Sequence, residues 1–127
     1  MPITTFPEYA RAIQDVLDIV VATAEANVVS VQKDQRSLLR GFIAGIVQFG
    51  DGSELHFREF VDVSLSKPRL MYAHHYQDVN KMLIFRYDNA AHRPRLPQAE
   101  HKHTPQGVEI SHAPTLAQVV DEILKGG

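Results

Sequence analysis

Residues 38–63 read LLRGFIAGIVQFGDGSELHFREFVDV, and their pattern decides the fold. Leu38 to Phe49 is apolar on both faces, as expected of a central strand. GDGS at 50–53 is turn sequence, and Asp51-Gly52 suits a two-residue hairpin connection. Glu54 to Val63 then alternates. Leu55, Phe57, Glu59, Val61 and Val63 share one face, while Glu54, His56, Arg58, Phe60 and Asp62 share the other. Gly41 and Gly45 lie on one face of the first strand, where a helix can approach closely.

Working outward, Val28 to Lys33 is a short β-branched strand before this pair. Ser66-Lys-Pro-Arg69 turns the chain after it. Leu70–Gln77 and Met82–Asp88 form a further hairpin around Asp78-Val-Asn-Lys81. The two ends carry helical periodicity. Tyr9, Ile13, Val16, Leu17, Val20 and Ala24 make one stripe, opened by Thr5 and Glu8 as a capping box and fading near Asn27. Leu116, Val119, Val120, Ile123 and Leu124 make the other, opened by Thr115 with Gln118 and ended at Gly126. Residues 89–113 hold four of the seven histidines and read as one long polar loop. The expected fold is α+β, with residues 1–127 as one domain. An antiparallel meander of four to five strands carries an N-terminal and a C-terminal helix on one face, with the long loop before the last helix.

The chain has no cysteine, which removes disulfides, thiolate metal sites and cysteine nucleophiles. Asp15 and Asp18 interrupt the first apolar stretch, so it does not read as a signal peptide. No apolar run reaches the roughly 18 to 20 residues that span a membrane. A soluble cytoplasmic protein is expected. The net charge is −2, but residues 33–104 hold eleven Lys and Arg against eight acids, or +3. The middle of the chain can therefore present a modestly positive surface.

Four groups of residues carry candidate chemistry. Glu59 stands on an otherwise apolar strand face, where desolvation would raise its pKa towards that of a general acid or base. Tyr72, His74 and Tyr76 share a face of the next strand and His75 takes the other. If the turn at 66–69 closes with four residues, Glu59 lies opposite Tyr76 and diagonal to His74, whereas a one-residue slip brings in His75 instead. In FRYDNAAHRP (85–94), Phe85 and Tyr87 point one way and Arg86 and Asp88 the other. Arg86 can pair with Asp88 or clamp a phosphate, and His92 and Arg93 follow. His101-Lys102-His103 can supply acid, base and cation for phosphodiester chemistry, or two ligands of a metal completed by His92 or a carboxylate. No P-loop, GxGxxG, GxSxG or HExxH is present, so nucleotide hydrolysis and dinucleotide redox chemistry have no support.

YAHHYQ (72–77), IFRYDNAAH (84–92) and EHKH (100–103) together resemble the TumE-like toxin family. GDGSELHFREFVDV (50–63) fits its preceding hairpin and PTLAQVVDEIL (114–124) its final helix, so the resemblance covers most of the chain. It implies a bacterial type II toxin encoded beside a small DNA-binding antitoxin and acting as a ribonuclease. Carried onto this chain, the family's motif residues are Glu59, His74, Arg86, Tyr87, Asp88, Asn89, His92, His101 and His103. Many members have Pro where this chain has Ala91 and His where it has Arg93, departures that alter the loop shape more than the chemistry.

The first expectation is an RNA-cleaving toxin. Glu59, His74, Arg86, Asp88, His92, His101 and His103 supply the catalysis, and Tyr76, Tyr87, Asn89, Arg93 and Lys102 hold the RNA. It needs no cofactor and no resident metal. Two rivals stand beside it. One is a metal-dependent hydrolase or nuclease built on His92, His101 and His103. The other is a non-catalytic binding module, with homodimerisation through sheet edges as one form.

Overall fold

The computed structural model describes residues 3–24, 26–89 and 100–126. Helix α1 (Phe6–Thr23) is followed by seven strands: β1 (Ala26–Gln35), β2 (Arg40–Phe49), β3 (Glu54–Asp62), β4 (Arg69–Gln77), β5 (Leu83–Asp88), β6 (His101–Thr104) and β7 (Gly107–Ile110). Helix α2 (Leu116–Leu124) closes the chain. The strands form one antiparallel sheet in sequential order, β1 to β7. Both helices pack on one face, as expected, and bury Phe6, Leu17 and Val20 of α1 and Leu116, Val119 and Val120 of α2. They cover Ile43, Leu55, Phe57, Tyr72 and Phe85 of the sheet.

Both helix starts follow from local sequence. The Thr5 hydroxyl accepts from the Glu8 amide at 3.3 Å, and the Glu8 carboxylate returns to the hydroxyl and amide of Thr4. At α2 the box is complete: Gln118 N donates to Thr115 Oγ1 at 3.2 Å, and Thr115 N donates to Gln118 Oε1 at 2.9 Å. These bonds satisfy amides that the first helical turn leaves without partners. Helix α1 stops at Thr23, short of Asn27, because β1 already begins at Ala26.

The structure corrects four expectations. First, the described residues hold seven strands, because residues 101–110 form a hairpin rather than part of a loop. These strands have almost no apolar pattern to announce them. β6 is held by pairing to β5 and by polar contacts of its alternating side chains. Second, the 49–53 connection has three residues. Gly52 N donates to Phe49 O, Phe49 N donates to Ser53 O, and Gly52 takes φ +85°, a turn with a left-handed glycine. Third, β3 and β4 pair Glu59 with Tyr72, not Tyr76, and Leu55 with Tyr76. The 62–68 connection is longer than four residues and brings a register shift with it. Fourth, Gly41 does admit a helix, since a Cβ there would meet the Phe6 ring of α1, but Gly45 lies under the Phe57 ring of β3.

Candidate functional site

Cross-strand pairing sorts the polar residues into two groups on opposite faces of the sheet. Paired residues of antiparallel strands point the same way. The row Gly45, Phe57, His74, Tyr87, Lys102 lies on the helix side, and the row Ile46, His56, His75, Arg86, His103 lies on the other, the bare side in that no helix among the described residues packs on it.

On the helix side, Glu59 is 1% exposed and His74 fully buried. His74 Nε2 lies 2.7 Å from Glu59 Oε2. The acceptor is a carboxylate, so Nε2 carries the proton. Tyr9 of α1 donates its hydroxyl to Glu59 Oε1, and Arg69 Nη1 stands 3.6 Å from Oε2. Burial pushes the Glu59 carboxyl up, but the bonds and charges of His74, Tyr9 and Arg69 outweigh it and hold the group below its ordinary value. The expected rise is thus reversed, because a desolvated carboxylate with several donors stays ionised. Burial first, and then the Glu59 charge, push the Tyr9 phenol well above its usual range.

Several predicted RNA-binding residues also have partners within the fold. Tyr76 shares a 2.8 Å hydrogen bond with Ser53 and packs on Phe49 and Phe85. Tyr87 donates to Glu122 Oε1 at 2.7 Å and Lys102 to Glu122 Oε2 at 3.1 Å, which ties α2 to the sheet. Asn89 extends the β4–β5 pairing with its side chain, accepting from Tyr72 N and donating to Leu70 O. His92 and Arg93 lie outside the described residues.

On the bare side, β5 and β6 bring Arg86, Asp88, His101 and His103 together. Arg86 Nε donates to Asp88 Oδ2 at 2.8 Å. His103 Nε2 lies 3.3 Å from the Asp88 carboxylate and His101 Nδ1 3.6 Å from its Oδ1. Burial pushes the Asp88 carboxyl up, but the Arg86 bond and the His103 charge hold it below its ordinary value. The neighbouring strand adds His75, which faces this side and not Glu59. Its Nδ1 is 3.4 Å from Arg86 Nη1, and its Nε2 is 3.1 Å from Gln77 Oε1. His56 meets the His75 ring edge-on at 6.3 Å. A basin of about 460 Å³ opens alongside, lined by Ala44, His56, Arg58, Ala73, His75 and Arg86 among others. One signal for this group was available in sequence. Histidines and cations at the same parity, His56/Arg58, His75, Arg86 and His101/His103, mark one face of four successive strands.

The fold defines the class: an α+β protein with a helix-backed antiparallel meander, here with a histidine–arginine–carboxylate cluster on the opposite sheet face. The chain belongs to the TumE family, whose model, described as toxin TumE, matches residues 10–126. Comparisons with curated proteins and with solved structures gave no significant match. Membership of a toxin family supports a toxin role. Among the described residues no helix is long and apolar enough to cross a membrane.

Proposed function

We propose that this protein is the toxin of a type II toxin–antitoxin pair and that it cleaves RNA on the bare face of the sheet, between β4 and β6. The observation that carries the reading is the meeting of Arg86, Asp88, His101 and His103 beside an open basin. Arg86 is already oriented by Asp88 and holds the scissile phosphate with its remaining N–H groups, stabilising charge as the phosphorane forms. His103, beside the Asp88 carboxylate, transfers a proton during cleavage. Phosphodiester chemistry moves to these groups from Glu59 and Lys102, which face the helices. A small DNA-binding antitoxin neutralises the protein.

The test is cleavage of RNA by purified protein in EDTA, beside His92→Ala, His103→Ala and Arg86→Ala variants. The expected result is cleavage by the wild type and its loss in His103→Ala and Arg86→Ala. Equal cleavage by all of them would identify a contaminating nuclease and remove the assignment.

A second reading rests on the same cluster. One donor atom each from Asp88, His101 and His103 lie within 4.8 Å of one another. Ligand atoms at roughly 2.0–2.1 Å from a tetrahedral Zn²⁺ stand roughly 3.3–3.4 Å apart, close to the 3.3 and 3.6 Å that separate Asp88 Oδ1 from His103 Nε2 and His101 Nδ1. Arg86 on the other Asp88 oxygen would serve as an outer partner of the carboxylate. This makes a metal-dependent nuclease in which Asp88 takes the place expected of His92. Calorimetric titration with ZnCl₂ and MnCl₂ decides it: stoichiometric uptake supports the reading, and none ends it.

A further inference from the structure

We propose that the bare face carries a binding platform for unpaired RNA beside the cleavage site, in which Phe42 and Phe60 stack bases and Arg58 holds a phosphate. The inference takes RNA as the ligand from the ribonuclease reading and names the surface that grips it. Phe42 of β2, Phe60 of β3 and Met71 of β4 are directly paired, so their side chains form one row across three strands. Neither ring belongs to the helix-side core, both are partly exposed, and Met71 is 44% exposed. An apolar row left facing water beside polar groups marks a contact surface.

The charge beside this row is arranged unevenly. Arg40 is paired with Asp62 and Arg86 with Asp88, each at 2.8 Å. Arg58 is exposed and, among the described residues, has neither an ion-pair nor a hydrogen-bond partner. Its cross-strand neighbours are Ala44 and Ala73, whose short side chains leave the guanidinium clear on both sides. Along β3, Phe60 and His56 stand two residues to either side of it, roughly 6.7 Å away at the backbone. Arg86 lies two strands over and one row along, roughly 12 Å from Arg58 at the backbone. The basin of about 460 Å³ lies between, lined by both arginines and by Ala44 and Ala73.

Exposed rings, a free guanidinium and a cleft on one surface match an unpaired strand, which needs flat faces for its bases and a cation for its backbone. The strand that leaves the phosphate on Arg86 crosses the basin to Arg58 and reaches Phe60 and Phe42 beyond it. That continuity with the cleavage cluster favours RNA over a protein partner. In a duplex the faces of the bases are covered by their neighbours, so the row selects single strands, loops and ends. Stacking is tolerant of base identity, and the platform therefore distinguishes strandedness and not sequence.

The experiment follows the fluorescence anisotropy of a short labelled 2′-O-methyl RNA in EDTA across a salt series, with its duplex as control. This probe has no free 2′-hydroxyl and binds without being cut. Wild type should bind the single strand in preference to the duplex. Arg58→Gln should weaken binding and reduce the slope of log K against log salt by roughly 0.7, the value for one phosphate contact to a single strand. Phe60→Leu should weaken binding by roughly 5- to 150-fold, the loss of one stacked base, with the slope unchanged. The chain has no tryptophan, so Phe60→Trp places a lone reporter in the row. That variant should keep its affinity, and the single strand but not the duplex should quench its fluorescence. On cleavable RNA, Arg58→Gln should raise KM with little change in kcat, because the contact is made in ground and transition state alike. Wild-type affinity and slope in Arg58→Gln, an unquenched Phe60→Trp, or equal binding of the duplex overturns the platform, and cleavage by the same preparations then leaves the ribonuclease reading standing. Loss of self-association in Phe60→Leu, seen by sedimentation with RNA affinity unchanged, overturns it in favour of a protein interface. The expected quenching and salt slope in a wild type that cuts no RNA keep the platform and remove the ribonuclease reading.

Discussion

His74 Nε2 lies 2.7 Å from Glu59 Oε2 with both side chains buried beneath the helices. The pair joins more than two strands. Tyr9 brings α1 to the same carboxylate, and Arg69, 3.6 Å from it, also donates to Pro114 O at 2.6 Å, just before α2. One buried charge therefore links β3, β4 and both helices. The sheet lies between it and the Arg86 cluster.

Removing that charge strands its donors. Glu59→Ala would leave His74, Tyr9 and Arg69 without their shared acceptor. Breaking a buried pair from one side costs about 3–5 kcal/mol. Urea unfolding should show a loss in that range, and a loss below about 1 kcal/mol would mean that solvent or another residue replaces the carboxylate.

Acidification should lower stability in two stages. His75 is held below its ordinary 6.5 by burial and Arg86. The unfolded chain therefore takes up this proton more readily, and the stability His75 contributes is complete above 6.5 and lost as pH falls towards the folded value. Glu59 and Asp88 are held below 4.5 and 3.8 despite burial, by His74, Tyr9 and Arg69 and by Arg86 and His103 respectively. Their contribution is complete above those ordinary values and disappears as pH falls through the depressed ones. Thermal melts across the acidic range should show a shallow decline from the histidine and a steeper one from the carboxylates. His75→Asn should remove only the shallow stage. An unchanged shallow stage in that variant would assign it to another histidine.

The sequence carried face assignments better than it carried pairings. Both helices were legible because their caps are local: Thr5 and Glu8, then Thr115 and Gln118, lie three residues apart. Glu59 was expected opposite Tyr76 and is found opposite Tyr72. That slip is an even number of residues, so side-chain parity survived it and His74 still reached Glu59. The length of the 62–68 connection could not be read, because nothing in Ser64–Lys67 fixes where pairing resumes. β6 and β7 were missed for a different reason. Their residues are polar or exposed, and hydrophobic period reports only strands that bury a face. Arg86 with Asp88 and His101 with His103 were legible as two separate groups, and their meeting is set by the β5–β6 pairing. His75 was legible only as the alternative to His74 under a one-residue slip, and its partnership with Arg86 is set by cross-strand register and not by spacing along the chain.

Lys81 adopts φ 66° in the turn between β4 and β5, where its amide donates to Asp78 O at 2.9 Å. A side chain in this region is strained by its Cβ, and glycine is not. Lys81→Gly should therefore raise stability, by up to about 1 kcal/mol after the greater freedom of the unfolded glycine is counted. Guanidinium unfolding measures it, and a clear decrease would show that the lysine side chain contributes more than its backbone costs.

Gly41 and Phe6 set how closely α1 lies on the sheet. A Cβ on Gly41 would stand 2.5 Å from Cε1 and Cζ of the Phe6 ring. Phe6 is 2% exposed, and its amide donates to Leu38 O at 2.8 Å, so the ring cannot retreat without moving the start of the helix. Gly41→Ala should cost about 1–3 kcal/mol, the usual range for overpacking. Phe6→Leu alone should also destabilise, by loss of ring packing. Combined, the two should cost less than their sum, because the smaller side chain accepts the added methyl. Strict additivity in the double-mutant cycle would place the strain of Gly41→Ala in the β2 backbone and not against α1.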